Sequence, residues 1–297
     1  MELLRQIESI RTPFFDTLFG LITRLGEEMI LIVLFCVLFW CVNKKWGYIM
    51  GVVFFMSSLV VQGMKIVFRI PRPWVVDPNF SPIYASLGEA TGYAFPSGHT
   101  QNAAAWLGSL GALINNKIVR ICLFALTILV AFSRMYLGVH TLQDVVASLV
   151  ITFAILFITL KFFNNDTENK KRDFFLSLFI VLCAVVVLII VITMYFMDIT
   201  EAAQLRDAVL AAGAAIGFGV GMFIERTYIR FSVKTKNIPL QILKCVLGIA
   251  GLIAIQEGLR IIGSNLLADG IRYFFMIMWL IVGYPLIIKK FFAVEET

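Results

Sequence analysis

The chain of 297 residues is written largely in apolar runs of about 20, and that limits what it can fold into. A helix of about 20 apolar residues crosses roughly 30 Å of bilayer hydrocarbon. Composition agrees: the chain is 60% hydrophobic and 15% charged, with a mean hydropathy of +0.90. Soluble domains lie nearer half apolar and a quarter charged. An all-α, polytopic transmembrane helical bundle is expected. The net charge of +6 then reports orientation, and no nucleic-acid partner is implied. Cys36, Cys41, Cys122, Cys183 and Cys245 fall in apolar stretches with no CxxC pair, and read as small buried hydrophobes. The first long run follows some 25 mixed residues, so it is read as a span and no cleavable signal peptide is expected.

Nine spans are expected, near 27–42, 47–68, 99–114, 118–135, 141–162, 174–197, 207–225, 239–262 and 271–290. The third is diluted by Gln101, Asn102 and small residues that suit tight packing. Lys44-Lys45, Lys117 with Arg120, Lys161 with Lys170-Lys171-Arg172, Arg226 through Lys236, and Lys289-Lys290 occupy alternate loops and the C-terminus. The positive-inside rule makes these cytoplasmic, which puts the N-terminus outside and the C-terminus in the cytoplasm. Residues 3–22 mix apolar residues with Arg5, Glu8, Arg11 and Asp16, as an interfacial amphipathic helix on the outer leaflet would. The polar stretch 164–173 separates residues 1–163, the interfacial helix and five-span core, from 164–297, a four-span C-terminal extension. Within the extension, Gly213, Gly217, Gly219 and Gly221 suit close helix packing inside the chain. Gln256, Glu257 and Arg260 either pair with one another or shape the headgroup side of a pocket.

The chain has two histidines, and each sits in a short polar motif. His99 closes Pro96-Ser97-Gly98-His99, and His140 lies in Ser133-Arg134-x5-His140-x3-Asp144. Upstream is Lys65-x6-Arg72-Pro73. In the expected topology Lys65 ends the second span, His99 starts the third, Arg134 ends the fourth and His140 starts the fifth. All four ends then emerge on the outer face. Phosphoryl transfer spreads charge over equatorial oxygens, so it needs fixed cationic donors such as Lys65, Arg72 and Arg134. Pro96-Ser97-Gly98-His99 reads as a helix start, where free N–H groups favour an anion. There Ser97 caps the helix or donates to phosphate, and Gly98 lets the backbone come close. His140 and Asp144 share a helical face at i, i+4. Asp144 accepting the Nδ1 proton would leave Nε2 free to attack phosphorus. His99 is left to protonate the leaving oxygen and then to activate water.

These three motifs, in order and spacing, resemble the signature of the type 2 phosphatidic acid phosphatase superfamily. The match spans residues 65–144, and the flanking spans fit the family's helical core to about residue 163. The resemblance implies metal-independent dephosphorylation through a phosphohistidine, with Lys65, Arg72, Ser97, Gly98 and Arg134 holding phosphate. No cofactor is implied, and no carboxylate cluster suggests a catalytic Mg²⁺. The nine-span layout is similar to that of sphingosine phosphate and glucose-6-phosphate phosphatases of the same superfamily.

The expected partner is a phosphorylated membrane lipid within the bilayer. Candidates are phosphatidate, phosphatidylglycerol phosphate, an isoprenyl diphosphate such as undecaprenyl diphosphate, or a long-chain base phosphate. A phosphotransferase passing the group to an alcohol, or a non-catalytic lipid-binding protein, are the alternatives. The location expected is a bacterial cytoplasmic (inner) membrane with the active site facing outside. A proline-rich loop between the second and third spans carries Trp74, Tyr84, Tyr93 and Phe95, and reads as a substrate lid or an aromatic anchor. Arg69 reads as a snorkelling or secondary headgroup contact.

Overall fold

The computed structural model describes residues 1–83, 90, 92–164, 169–235, 237–261, 263 and 265–292. Tyr84 of the proline-rich loop and residues 165–168 of the polar stretch lie outside these. The described residues form an all-helical membrane protein.

Two helices stand where one interfacial helix was expected: α1, Glu2–Ser9, and α2, Pro13–Thr23. Proline lacks an N–H and drives the residue before it into the extended region. Thr12 is extended accordingly, and its side chain caps α2 at the Phe15 N–H. The pair is pinned by Arg5 to Asp77 at 2.6 Å, and by Arg11 to the carbonyls of Ser81 at 2.5 Å and Tyr136 at 3.0 Å.

α3, Glu28–Val37, runs through a π turn, Leu38–Val42, to Asn43, whose side chain caps α4, Lys44–Phe68. The loop beyond α4 holds the short α5, Pro73–Val76. α6, Gly98–Ala103, a π segment, Ala104–Gly108, and α7, Ser109–Leu113, form one unbroken stretch. Then come α8, Lys117–Tyr136, α9, Leu142–Asn164, α10, Lys170–Phe196, and α11, Ala202–Ile224. α12, Ile238–Arg260, is followed by α13, Leu266–Met278, which continues through a π segment into α14, Tyr284–Phe291.

All nine apolar stretches are helical, yet among the described residues seven helices are long and apolar enough to cross a membrane. The bent pair Pro13–Gly26 and Glu28–Val42, at 48°, would make eight. The stretch from Gly98 to Leu113 falls short in length, and its first turn is inside the protein, with Ser97, Thr100 and Gln101 buried. Non-spanning backbone at that depth is tolerated where protein encloses it.

Burial separates a lipid face from an interior. On α10, Phe175, Phe179, Leu182, Val186 and Ile189 are exposed, while Ile180, Ala184, Val187 and Val191 are buried. A helix with an apolar exposed face belongs in hydrocarbon. Among the cysteines, Cys36 is buried as expected, whereas Cys122 lies on the exposed face of α8.

α4 sits at the centre against α6, α9, α10 and α11, and α11 is wedged between α10 and α13. A Cβ on Gly213 would run into the Gly270 carbonyl, and one on Gly217 would stand 2.7 Å from the Phe274 carbonyl. The small residues thus serve packing within the chain. Phe218 of α11 stacks on Phe55 of α4 at 4.8 Å, so residues on both sides of the 164–173 stretch share one core. Glu257 and Arg260 are exposed and 3.6 Å from each other.

Candidate active site

The chemistry-bearing residues gather where α4, α6, α8 and α9 end together. Arg69, exposed and in the left-handed region (φ 50), ends α4 just past Lys65 and turns the chain back. Arg72 follows in extended backbone and starts α5. At the start of α6, Ser97 is fully buried and caps the helix, accepting from the Thr100 N–H at 3.4 Å and the Thr100 hydroxyl at 3.0 Å. α9 holds this start from below: the Ser97 N–H donates to the Asp144 carbonyl at 3.1 Å, and the Ser148 hydroxyl donates to the Ser97 carbonyl at 2.8 Å. A Cβ on Gly98 would meet nothing within 4 Å, so the space beside its backbone is open.

His140 lies in the turn between α8 and α9, two residues ahead of the helix it was expected to start. Thr141 and Asp144 form a reciprocal box at that helix start, with Thr141 N–H to Oδ2 at 2.7 Å and Asp144 N–H to Oγ1 at 3.4 Å. The same Oδ2 is 3.4 Å from His140 Nδ1. On the ring's other side, Arg72 Nη1 stands 3.0 Å from Nε2. Arginine can only donate, so Nε2 accepts and the ring proton is on Nδ1, facing Asp144. Burial pushes the His140 pKa well below the usual 6.5, and Arg72, Arg134, Lys65 and His99 push it the same way.

Hydrogen bonds to neutral oxygens help to hold each cation. Lys65 Nζ donates to the Tyr93 carbonyl at 2.6 Å, and Arg72 donates to the carbonyls of Gly92 at 3.1 Å and Val139 at 3.0 Å. Arg134, 0% exposed, donates to the Thr23 hydroxyl at 2.6 Å. Lys65, Arg72, Gly98, His99, Arg134 and His140 line one cavity of about 460 Å³. Ser97 and Asp144 stand behind that wall, where they position other residues.

Thr23 carries no motif, and the sequence offers no sign that it supports Arg134. Gln101 and Asn102 weaken the third stretch as a span, and the fold uses them as braces. Gln101 donates to the Ser57 hydroxyl at 2.7 Å and Asn102 to the Gly26 carbonyl at 3.0 Å. Gly26 has no Cβ because one would stand 2.8 Å from the His99 carbonyl. The described part of the proline-rich loop is held down by the contacts of Arg5 and Arg11 and by the Ile83 N–H on the Leu137 carbonyl at 3.0 Å.

Comparison with known proteins decides the lineage. Residues 46–168 match the model of the PAP2 superfamily, and residues 209–296 match that of the PAP2 superfamily phosphatase transmembrane extension. The chain belongs to the PAP2 superfamily. It is 28% identical over 170 residues to the "Probable sphingosine-1-phosphate phosphatase" of Dictyostelium discoideum, covering 52% of this chain and 40% of that one. It is 27% identical over 164 residues to phosphatidylglycerophosphatase B of Bacillus subtilis, covering 50% of this chain and 75% of that one. The chain thus spans less than half the length of the Dictyostelium relative. The crystal structure of Aquifex aeolicus LpxE aligns with 26% identity and a TM-score of 0.49, over 54% of this chain and 93% of that one.

Proposed function

We propose that this PAP2 protein hydrolyses a lipid phosphomonoester or isoprenyl diphosphate at the extracytoplasmic face, through a phosphohistidine on His140 and without a metal ion. The observation that carries this reading is the fixing of His140 between Asp144 at Nδ1 and Arg72 at Nε2. A nucleophile needs a lone pair aimed at the reacting atom and a base-side partner to hold it there. An imidazole kept neutral by burial has that lone pair, which accepts from Arg72 until the guanidinium turns to the incoming phosphate. Arg72, Arg134 and Lys65 then stand where phosphoryl oxygens must lie.

Nε2 forms a bond to phosphorus as the bond to the lipid oxygen breaks, and protonated His99 gives its proton to that oxygen. The Nδ1 proton stays on the ring, stabilised by Asp144. His99, now neutral, takes a proton from water as the water oxygen attacks phosphorus. The P–N bond breaks, releasing phosphate and returning His140 to its starting state. Lys65, Arg72 and Arg134 meet the oxygens that carry the charge in both steps. The extracytoplasmic assignment rests on the distribution of Lys and Arg among the loops. Both curated relatives are named for lipid phosphates, which favours a lipid substrate here.

The test is phosphate release by purified protein in EDTA, across a panel of lipid monophosphates and isoprenyl diphosphates, with His140→Ala as the blank. Release from one class, absent in the blank, and an acid-labile phosphoenzyme are expected. Full loss of activity in EDTA would sink the metal-free mechanism. Transfer of phosphate to an added alcohol in preference to water would make the protein a phosphotransferase instead.

A further inference from the structure

The cavity continues well past the phosphate-side residues. Five helical stretches line it over about two turns or more: α3 from Glu28 to Phe35, α4 from Lys65 back to Phe54, α6 and its π segment from Gly98 to Trp106, α11 from Arg206 to Phe218, and α13 from Tyr273 on to Ile281. The eleven-residue steps from Phe54 to Lys65 and from Asp207 to Phe218 each correspond to roughly 16 Å of depth at 1.5 Å per residue. The deep end is walled by Phe35, Phe54, Phe55, Trp106, Phe218 and Leu280. A volume of about 460 Å³ lies within the range of roughly 300–1,000 Å³ that ligand sites occupy.

Much of that wall lies in the C-terminal helices. α11 contributes Leu210, Ala211, Ala214 and Phe218, and α13 with its continuation contributes Ile277, Leu280 and Ile281. Ala211 and Ala214 are three residues apart on one helix face, distinct from the Gly213 and Gly217 face that packs on α13. Two short side chains on the lining face keep the cavity open between aromatic rings. A second link joins this region to the phosphate end: the Tyr93 hydroxyl is 2.9 Å from the Thr200 hydroxyl, just before α11, while the Tyr93 carbonyl holds Lys65.

We infer that α11 and α13 form the chain-selecting wall of the substrate site, with the lipid's hydrocarbon chain lying along them and Ala211 and Ala214 leaving the width it needs. The inference rests on the lipid phosphatase reading above. Exchanging methylenes between hydrocarbon and a protein cavity discriminates through fit, because a void forfeits contacts and an added side chain collides. Headgroup chemistry then belongs to the motif residues, and chain length and thickness belong to the extension.

The experiment uses the full chain in detergent and two phosphomonoesters with one headgroup, one short-chain and water-soluble, the other long-chain. Ala214→Phe narrows the channel, and the long-over-short ratio of kcat/KM should fall at least tenfold, mainly through KM of the long substrate. Ile277→Ala widens it, and the preference should shift toward bulkier, branched chains. An unchanged ratio in both variants overturns the inference. A long-chain phosphate lipid bearing a diazirine near its chain end gives a readout that needs no turnover. Adducts on α11 or α13 support the wall even if the parent releases no phosphate, an outcome that would defeat only the phosphatase reading. Adducts confined to α3 and α4 overturn the wall whatever the activity.

Discussion

Two clusters of buried charge lie toward opposite ends of α4, and they are built differently. Near its start, Lys44 pairs with Glu225 at 2.9 Å, Tyr48 donates to the same carboxylate, and Arg226 pairs with Asp173 at 2.8 Å. Two cations there meet two carboxylates. Near its end, Lys65, Arg72 and Arg134 gather around His140, where Asp144 is the carboxylate in contact with the imidazole. The hydrogen bonds described for these cations run to carbonyls and a hydroxyl. Burying a charge is costly unless it is matched. The matched cluster ties α4 to α10 and α11, and an apolar replacement of the whole set would serve stability as well. At the other end Lys65, Arg72 and Arg134 share one cavity with Asp207, and under the proposed function a phosphate group joins them there.

This contrast breaks most visibly at the proposed nucleophile. If the phosphohistidine forms on His140, His140→Ala should lower phosphate release by about 10⁴-fold or more; release at a tenth of the parent rate would remove His140 from that role. Arg134→Met keeps volume while deleting a cation. It should cost roughly 10²–10³-fold in kcat, and leave unfolding in detergent unchanged or shifted to higher temperature. Glu225→Ala at the other end should do the reverse. Stranding Lys44 and Tyr48 should cost on the order of 3 kcal/mol of stability, with turnover per folded molecule kept. Equal losses of stability in the two variants would erase the distinction between the clusters.

The parts legible in the sequence are those carried by local chemistry. Apolar runs marked the membrane helices, and three motifs marked Lys65, Arg72, Gly98, His99, Arg134 and His140, which line one cavity, because each motif sits at or near a helix terminus. What was hidden depends on tertiary approach. Thr23 reaches Arg134 across 111 residues, and nothing in its neighbourhood announces it. The π segments at Leu38–Val42 and Ala104–Gly108 leave no trace in hydropathy. Pro13 did mark a break, yet the amphipathic pattern over 3–22 ran through it and read as one helix. At 256–260 two readings stood open, and the fold takes the first: Glu257 and Arg260 lie 3.6 Å apart.

A smaller effect sharpens the role of that hidden support. Thr23→Val removes the acceptor from Arg134 without changing shape, and a hydrogen bond to a charged group is worth about 1.5–3 kcal/mol. The expected loss in kcat/KM is roughly ten- to a hundredfold. Retained kcat with an unchanged inhibition constant for vanadate would show that Arg134 holds its place without Thr23.

The finest distinction is electrical. Burial, then Arg72, Arg134, Lys65 and His99, lower the pKa of His140 well below 6.5, so the free enzyme keeps its nucleophile neutral at physiological pH. Protonation then removes the Nε2 lone pair only on acidification below that ordinary value, and the acid limb of kcat/KM belongs there. Substrate phosphate ionises near pH 6 as well, so the imidazole is better read directly. The chain has two histidines, and His99→Asn leaves one whose titration NMR can follow without ambiguity. A midpoint below 6.5 is expected, rising in Arg72→Met because one repelling cation is gone. Inorganic phosphate should raise it in the parent too, since an anion among the cations stabilises the imidazolium. A midpoint indifferent to phosphate would mean that these cations do not meet the ligand, and the end of α4 at Lys65 would lose its proposed role.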